Sequence, residues 1–250
     1  LHCDEAYIIL LVRDHSIQDI LASMIYDPRP PLYYLILHFW LKLFGSTHLA
    51  ARSLTALFGC LTIFPVYFLA KKYFNTAIAL LAAALFALSP FNIYCAQMVK
   101  EISLYVFFGS SGFLFFTLAL DKNKFIYWAL FVLCSALAIY FHYAAGLLII
   151  AAFVYLILIR RKYNFVVFRN ATFAFLSICL VYLPGFWFMF KNLLAYSGYI
   201  KTFPKVLEAP TAHQLAKYFF YSFSWFIKGE GQCWAIYLKE RSKDLLNIIP

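Results

Sequence analysis

The sequence predicts an all-α fold, a polytopic bundle of transmembrane helices with interfacial helices in its first outer loop. Three observations carry this. Of the 250 residues, 64% are hydrophobic and only 13% are charged, at a mean hydropathy of +0.78. Soluble domains carry about 25% charged residues, so too little charge is available here to cover a water-facing surface. The apolar residues come in long uncharged runs, and the basic residues fall in short clusters between them. In a soluble protein the net charge of +10 would suggest a nucleic-acid partner. Clustered between spans, the same charge reads as a topology determinant and a contact with anionic lipid, and no nucleic-acid partner is expected.

Taken in order, residues 1–29 are polar for this chain, with Asp4, Glu5, Arg13, Asp14, His15, Asp19, Asp27 and Arg29. Ile8–Val12 is too short to span a bilayer and reads as part of an interfacial helix. Pro28, Pro30 and Pro31 stop any helix, because proline lacks an N–H and restricts the residue before it. Leu32–Leu41 is apolar and aromatic but shorter than the roughly 17–25 residues a span requires. It reads as a second interfacial helix that ends at Gly45.

Spans are expected over residues 53–70, over 73–99 with a break at Ser89-Pro90, and over 102–120. The uncharged stretch 125–159 is long enough for two short spans that turn near Phe141-His142-Tyr143, and residues 170–190 supply one more. Residues 191–214 read as a polar loop, and Leu215–Ile227 as a weak last span. Three units follow: an outer loop at 1–48, a membrane core at 49–190, and an outer loop with a partial membrane segment at 191–250. The chain opens at Leu1 directly into a polar loop, which suggests a fragment whose preceding span is missing. Six cysteines show no C-x-x-C spacing and predict no zinc or redox site; a bridge among Cys3, Cys95 and Cys233 is not expected.

Parity of the spans organises the ionisable residues. Lys71-Lys72, Lys122/Lys124 and Arg160-Arg161-Lys162 recur after every second crossing and so share one face, cytoplasmic by the positive-inside rule. Asp4, Glu5, Arg29, Gln97, Lys100, Glu101 and His142 then meet at the opposite, outer rim. Asp4-Glu5 is an acidic pair beside a lipid interface, able to serve as a general base. By residue type alone it reads more readily as a solvated N-cap. Arg29 and Lys100 suit a phosphate or a headgroup anchor equally. Glu101 pairs with Lys100 or faces water. His142 lies at a span end within the otherwise uncharged stretch 125–159. A lone His there is more often a satisfied polar group than a ligand, yet an ionisable residue at such a place is a site candidate by default.

The succession is more specific than its parts. Asp4-Glu5 is followed by Asp27-Pro28-Arg29-Pro30-Pro31-Leu32-Tyr33-Tyr34, then Ala51-Arg52-Ser53-Leu54 opening a span, Ser89-Pro90, Tyr94-Cys95-Ala96-Gln97, and Tyr140-Phe141-His142-Tyr143. Over residues 1–190 this order resembles the GT-C membrane glycosyltransferases of the protein-mannosyltransferase superfamily. Its nearest branch is the bacterial Rgt-type domain, itself similar to the lipid A aminoarabinose transferase. The resemblance implies a GT-C helical bundle in the plasma membrane that performs an inverting transfer at the extracytoplasmic face. The donor would be a polyprenyl-phosphate sugar, and the acceptor a hydroxyl on a lipid, a glycan or a protein.

Carried over residue by residue, the resemblance makes Asp4 the base, with Glu5 beside it. Arg29, where the family usually has His or Lys, and Lys100 would bind the donor phosphate; Gln97, Glu101 and His142 would orient substrate. The family's junction reads Tyr-Ser-Gln-Glu-x-Arg, whereas this chain has Met98 where the Glu falls if Gln97 is aligned. A divalent cation could assist, but three hard oxygen ligands are not visible in the sequence and none is required. The competing class is a non-enzymatic polyprenyl-lipid-binding protein, flippase or transporter. Transporters tend to carry internal repeats and midplane polar breaks, neither of which is evident here.

Overall fold

The structure, a computed structural model, describes residues 3–24 and 29–202. Among the described residues all regular structure is helical. The helices are α1 (Cys3–Asp14), α2 (Ile17–Ser23), α3 (Leu32–Phe44), α4 (His48–Leu61), α5 (Ile63–Tyr73), α6 (Thr76–Ala87), α7 (Pro90–Gln97), α8 (Ile102–Lys122), α9 (Phe125–Phe141), α10 (Gly146–Leu158) and α11 (Phe165–Thr202). Local chemistry sets most of the boundaries. Ser16 and Asp19 form a reciprocal capping box at the start of α2, and the Thr47 hydroxyl accepts from Ala50 N–H to start α4. Asn75 caps α6, and Ser89 caps α7 with Pro90 in its first turn. Gly45, at φ 86°, ends α3 in a conformation that favours glycine.

Among the described residues three helical segments are long and apolar enough to cross a membrane: His48–Tyr73, Ile102–Lys122 and Phe165–Lys191. The first is α4 running into α5 across Thr62, whose hydroxyl bonds back to the Phe58 carbonyl, a contact that loosens a helix without ending it. Helices α6 and α7 pass the same test together but meet at a bend of 51°, at the Ser89-Pro90 break the sequence marks. Helices α9 and α10 are shorter apolar helices separated at His142-Tyr143.

Two expectations are corrected. Residues 191–202 are not loop: α11 continues through Lys191 to Thr202, and nothing from Lys191 to Thr202 is a proline that would stop it. Pro184 lies inside the same helix without ending it. The remainder of the expected loop, and Leu215–Ile227, lie outside the described residues. Helix α1 is also less superficial than expected. Ile8, Ile9, Leu11 and Val12 are all buried, in one core with Tyr33, Tyr34, Leu37, Leu54, Val99, Leu104 and Phe141. That core binds α1, α2 and α3 to the ends of α4, α8 and α9.

The basic clusters gather at the other end of the bundle. Lys72 pairs with Asp121 at 2.7 Å, and Tyr163, beside Arg160-Arg161-Lys162, donates to the same carboxylate at 3.1 Å. One acid thus ties together three segments whose basic clusters the span parity assigns to one face. A second core of Phe116, Leu120, Trp128, Phe131, Leu156, Ala171 and Phe175 fills the bundle between α8, α9, α10 and α11.

Close helix approach depends on Gly59. A Cβ there would sit 2.8 Å from Ala96 Cβ, and the adjacent Thr55 hydroxyl donates to the Ala96 carbonyl at 3.0 Å. Gly59→Val should push α7 off α4 and lower stability by roughly 1–3 kcal/mol, the usual cost of overpacking. Thermal unfolding of the detergent-solubilised protein measures it, and an unchanged midpoint would show that α7 does not need this approach.

Candidate active site

Glu5 is the organising group. It is 1% exposed, and a carboxylate so deeply buried needs partners to stay ionised. It has them from two directions. Val99 N–H donates to Oε1 at 3.0 Å, and the Arg52 guanidinium reaches Oε2 at 3.2 Å. One side chain therefore joins α1, the first turns of α4 and the α7–α8 junction. The reading of Asp4-Glu5 as a solvated pair does not hold for Glu5. Asp4 lies in the first turn of α1, next to this anchor; its side chain lies outside the described residues.

The junction fixed by Val99 carries Lys100 and Glu101. Glu101 does not face water: it is 4% exposed, and its Oε2 is buried without a hydrogen-bond partner. The Tyr33 hydroxyl and Arg52 Nε are among the other buried polar atoms in that condition. Tyr33, on α3, is fully buried and within electrostatic reach of Glu101, Glu5 and Arg29. Burial pushes its phenol well above the usual range, and the neighbouring carboxylates push it further, so it remains a hydrogen-bond donor. Unpaired buried polar groups are costly and few in native proteins. Here a carboxylate oxygen, a phenol and a guanidinium N–H are gathered around one anchor, ready-made partners for a polar ligand.

The other expected residues sit around this centre. The Arg29 guanidinium lies over the Tyr34 ring, 5.6 Å from its centroid, at the foot of α3. Lys100 is half-buried, and Gln97 is exposed at the C-terminal end of α7. His142 caps the end of α9; its Nδ1 accepts from Ala144 N–H at 3.1 Å and its ring packs on Tyr105, 4.9 Å between centroids. Tyr105 stands one turn after Glu101 on α8 and its N–H bonds the Glu101 carbonyl, which links His142 to the same assembly. Among the described residues no group of three or more His, Cys, Asp or Glu lies close enough to hold a metal ion.

Arg52 and Tyr33 are the site members that sequence reasoning did not single out. Arg52 carried a usable sign, a lone charge at the mouth of a hydrophobic span. Tyr33 carried none, being one aromatic among many.

Comparison with known proteins fits this architecture. Residues 28–187 match the family model described as dolichyl-phosphate-mannose-protein mannosyltransferase. The chain belongs to that family. It is a family of membrane glycosyltransferases of the GT-C type, and the matched region takes in Arg29, Tyr33, Arg52, the Val99–Glu101 junction and His142. An uncharacterized protein of Aquifex aeolicus (strain VF5) is 27% identical over 179 residues, which is 71% of this chain and 35% of that protein. The chain thus spans about a third of the length of this relative. No solved structure matches the chain.

Proposed function

We propose that this chain forms the catalytic end of an inverting glycosyltransferase of the Rgt-type branch, similar to the lipid A aminoarabinose transferase. It moves a sugar from a polyprenyl-phosphate donor to a hydroxyl acceptor on a lipid, glycan or protein, at the extracytoplasmic face of the plasma membrane. Residues 1–48 serve as the catalytic loop and residues 49–190 as the membrane core.

Asp4 is the base. It takes the proton of the acceptor hydroxyl as that oxygen bonds to the anomeric carbon, and the bond from that carbon to the phosphate oxygen breaks on the opposite face. The electron pair of the broken bond leaves with the lipid phosphate. Arg29 and Lys100 neutralise the growing charge, a preorganised electrostatic contribution of the kind often worth about 3–4 kcal/mol. Gln97, Glu101 and His142 hold sugar and phosphate, and Glu5 holds Asp4 in place. The observation that carries this reading is the buried Glu5 carboxylate. It couples the helix bearing Asp4 to the loop bearing Lys100 and Glu101, residues nearly a hundred positions apart.

The test is to supply membranes containing the full-length protein with labelled polyprenyl-phosphate sugars and identify the product. Transfer with inversion at the anomeric carbon is expected. Labelled donor that binds and is never turned over would leave a polyprenyl-lipid-binding protein instead. Arg29→Ala should weaken donor binding by about tenfold, the effect of losing one charge-assisted contact to phosphate, with acceptor binding little changed. Equal losses for both substrates would show that Arg29 only anchors α3.

A further inference from the structure

A second polar concavity lies at the other end of α1, about 15 Å of helix away from Asp4. It is an open groove of about 480 Å³ between the α1–α2 turn and α3, and its walls include Arg13, Asp14, His15, Ile17, His38 and Lys42. That volume is within the roughly 300–1,000 Å³ typical of small-ligand sites. Its charge is one-sided. Arg13 and Asp14 are joined by two contacts of 2.6 and 2.7 Å and cancel each other. Asp19, the nearest acid on α2, is occupied in its capping box with Ser16 at 2.6 Å. Lys42 is exposed and, among the described residues, has no ion pair.

His38 marks the groove as built rather than incidental. It is 4% exposed, and its Nδ1 contacts the Val12 carbonyl at 2.5 Å, which makes Nδ1 the donor. The ring lines the groove with Nε2 as its remaining polar atom. His38 and Lys42 are four residues apart and stand on one face of α3. The adjoining face carries Phe39, Leu43 and Phe44, 52%, 78% and 59% exposed. A groove carrying the Lys42 charge and bordered by exposed aromatic and aliphatic side chains on a helix too short to span is the pattern of an interfacial element.

We propose that this groove binds the phosphate of an anionic phospholipid, held by Lys42 and His15 beside the His38 ring, with an acyl chain lying along Phe39 and Leu43. A free anion would use the cations and leave the apolar face uncovered; a lipid uses both. The site is independent of sugar transfer and would serve to seat α1 and α3 at the headgroup level.

Native mass spectrometry of the full-length protein released from nanodiscs of equal parts phosphatidylglycerol and phosphatidylcholine tests it. The wild type should retain phosphatidylglycerol selectively. Lys42→Gln should lower retention about tenfold, the effect of one charge-assisted contact. Phe39→Ser should lower it as well, while Lys124→Gln at the opposite end of the bundle should not. Because Lys42 and Phe39 are exposed, these variants keep the fold. Unchanged retention in Lys42→Gln would overturn the proposal. So would displacement of the lipid by inorganic phosphate, or a loss in Lys42→Gln that Phe39→Ser does not share, since either would make the groove a free-phosphate site.

Discussion

Asp4→Asn is expected to abolish sugar transfer and to leave membrane insertion and helix content unchanged. That result is expected because asparagine keeps the shape of the side chain and removes its ability to accept a proton. General base catalysis typically contributes about 10²–10⁴-fold to rate, so residual turnover should fall to a small fraction of wild type. The assay is the labelled polyprenyl-phosphate transfer reaction, run beside a protease-protection map of the same membranes. Wild-type turnover in Asp4→Asn would remove Asp4 from the mechanism. Loss of both turnover and insertion would reassign it to folding.

The second large effect is expected at the Glu5–Arg52 pair, where the two partners should not behave alike. Arg52→Ala takes the guanidinium away from a 1%-exposed carboxylate that keeps its bond from Val99 N–H, and removing the opposite charge from a buried ion is the costly outcome. Breaking a fully buried pair costs about 3–5 kcal/mol; with the Arg52 side chain 42% exposed, roughly 2–3 kcal/mol is expected. Glu5→Gln, by contrast, retains an oxygen for Val99 and carries no charge to strand, so its stability loss should be about half as large. Both variants should lose transfer activity, because both break the ion pair that ties α1, the helix bearing Asp4, to α4. Thermal unfolding in detergent separates them. If Glu5→Gln proves the more damaging to stability, the carboxylate is held by something other than Arg52.

Much of this arrangement was legible in the residues. Deficit of charge gave the membrane class, and glycine and proline marked helix ends: Gly45 stops α3 and Ser89-Pro90 opens α7. Parity of the crossings anticipated that Glu5, the Val99–Glu101 junction and His142 would share one end of the bundle, with Lys72 and Asp121 at the other. Local rules misjudge residues 191–202, which belong to a polar stretch whose prolines, Pro204 and Pro210, fall only after the helix has reached Thr202.

What the sequence determined by itself was therefore the all-helical membrane class, most helix boundaries and the separation of Glu5 from the Lys72–Asp121 end of the bundle, since these depend on period, span length and charge placement along the chain. Tertiary structure alone decided who partners whom. Glu5 meets Arg52 and Val99 across 47 and 94 positions, and Glu101 and Tyr33 are buried rather than solvated. Burial and pairing at such separations arise from the packing of α1, α3, α4 and α8 into one core, and no local pattern in any one of those helices specifies them.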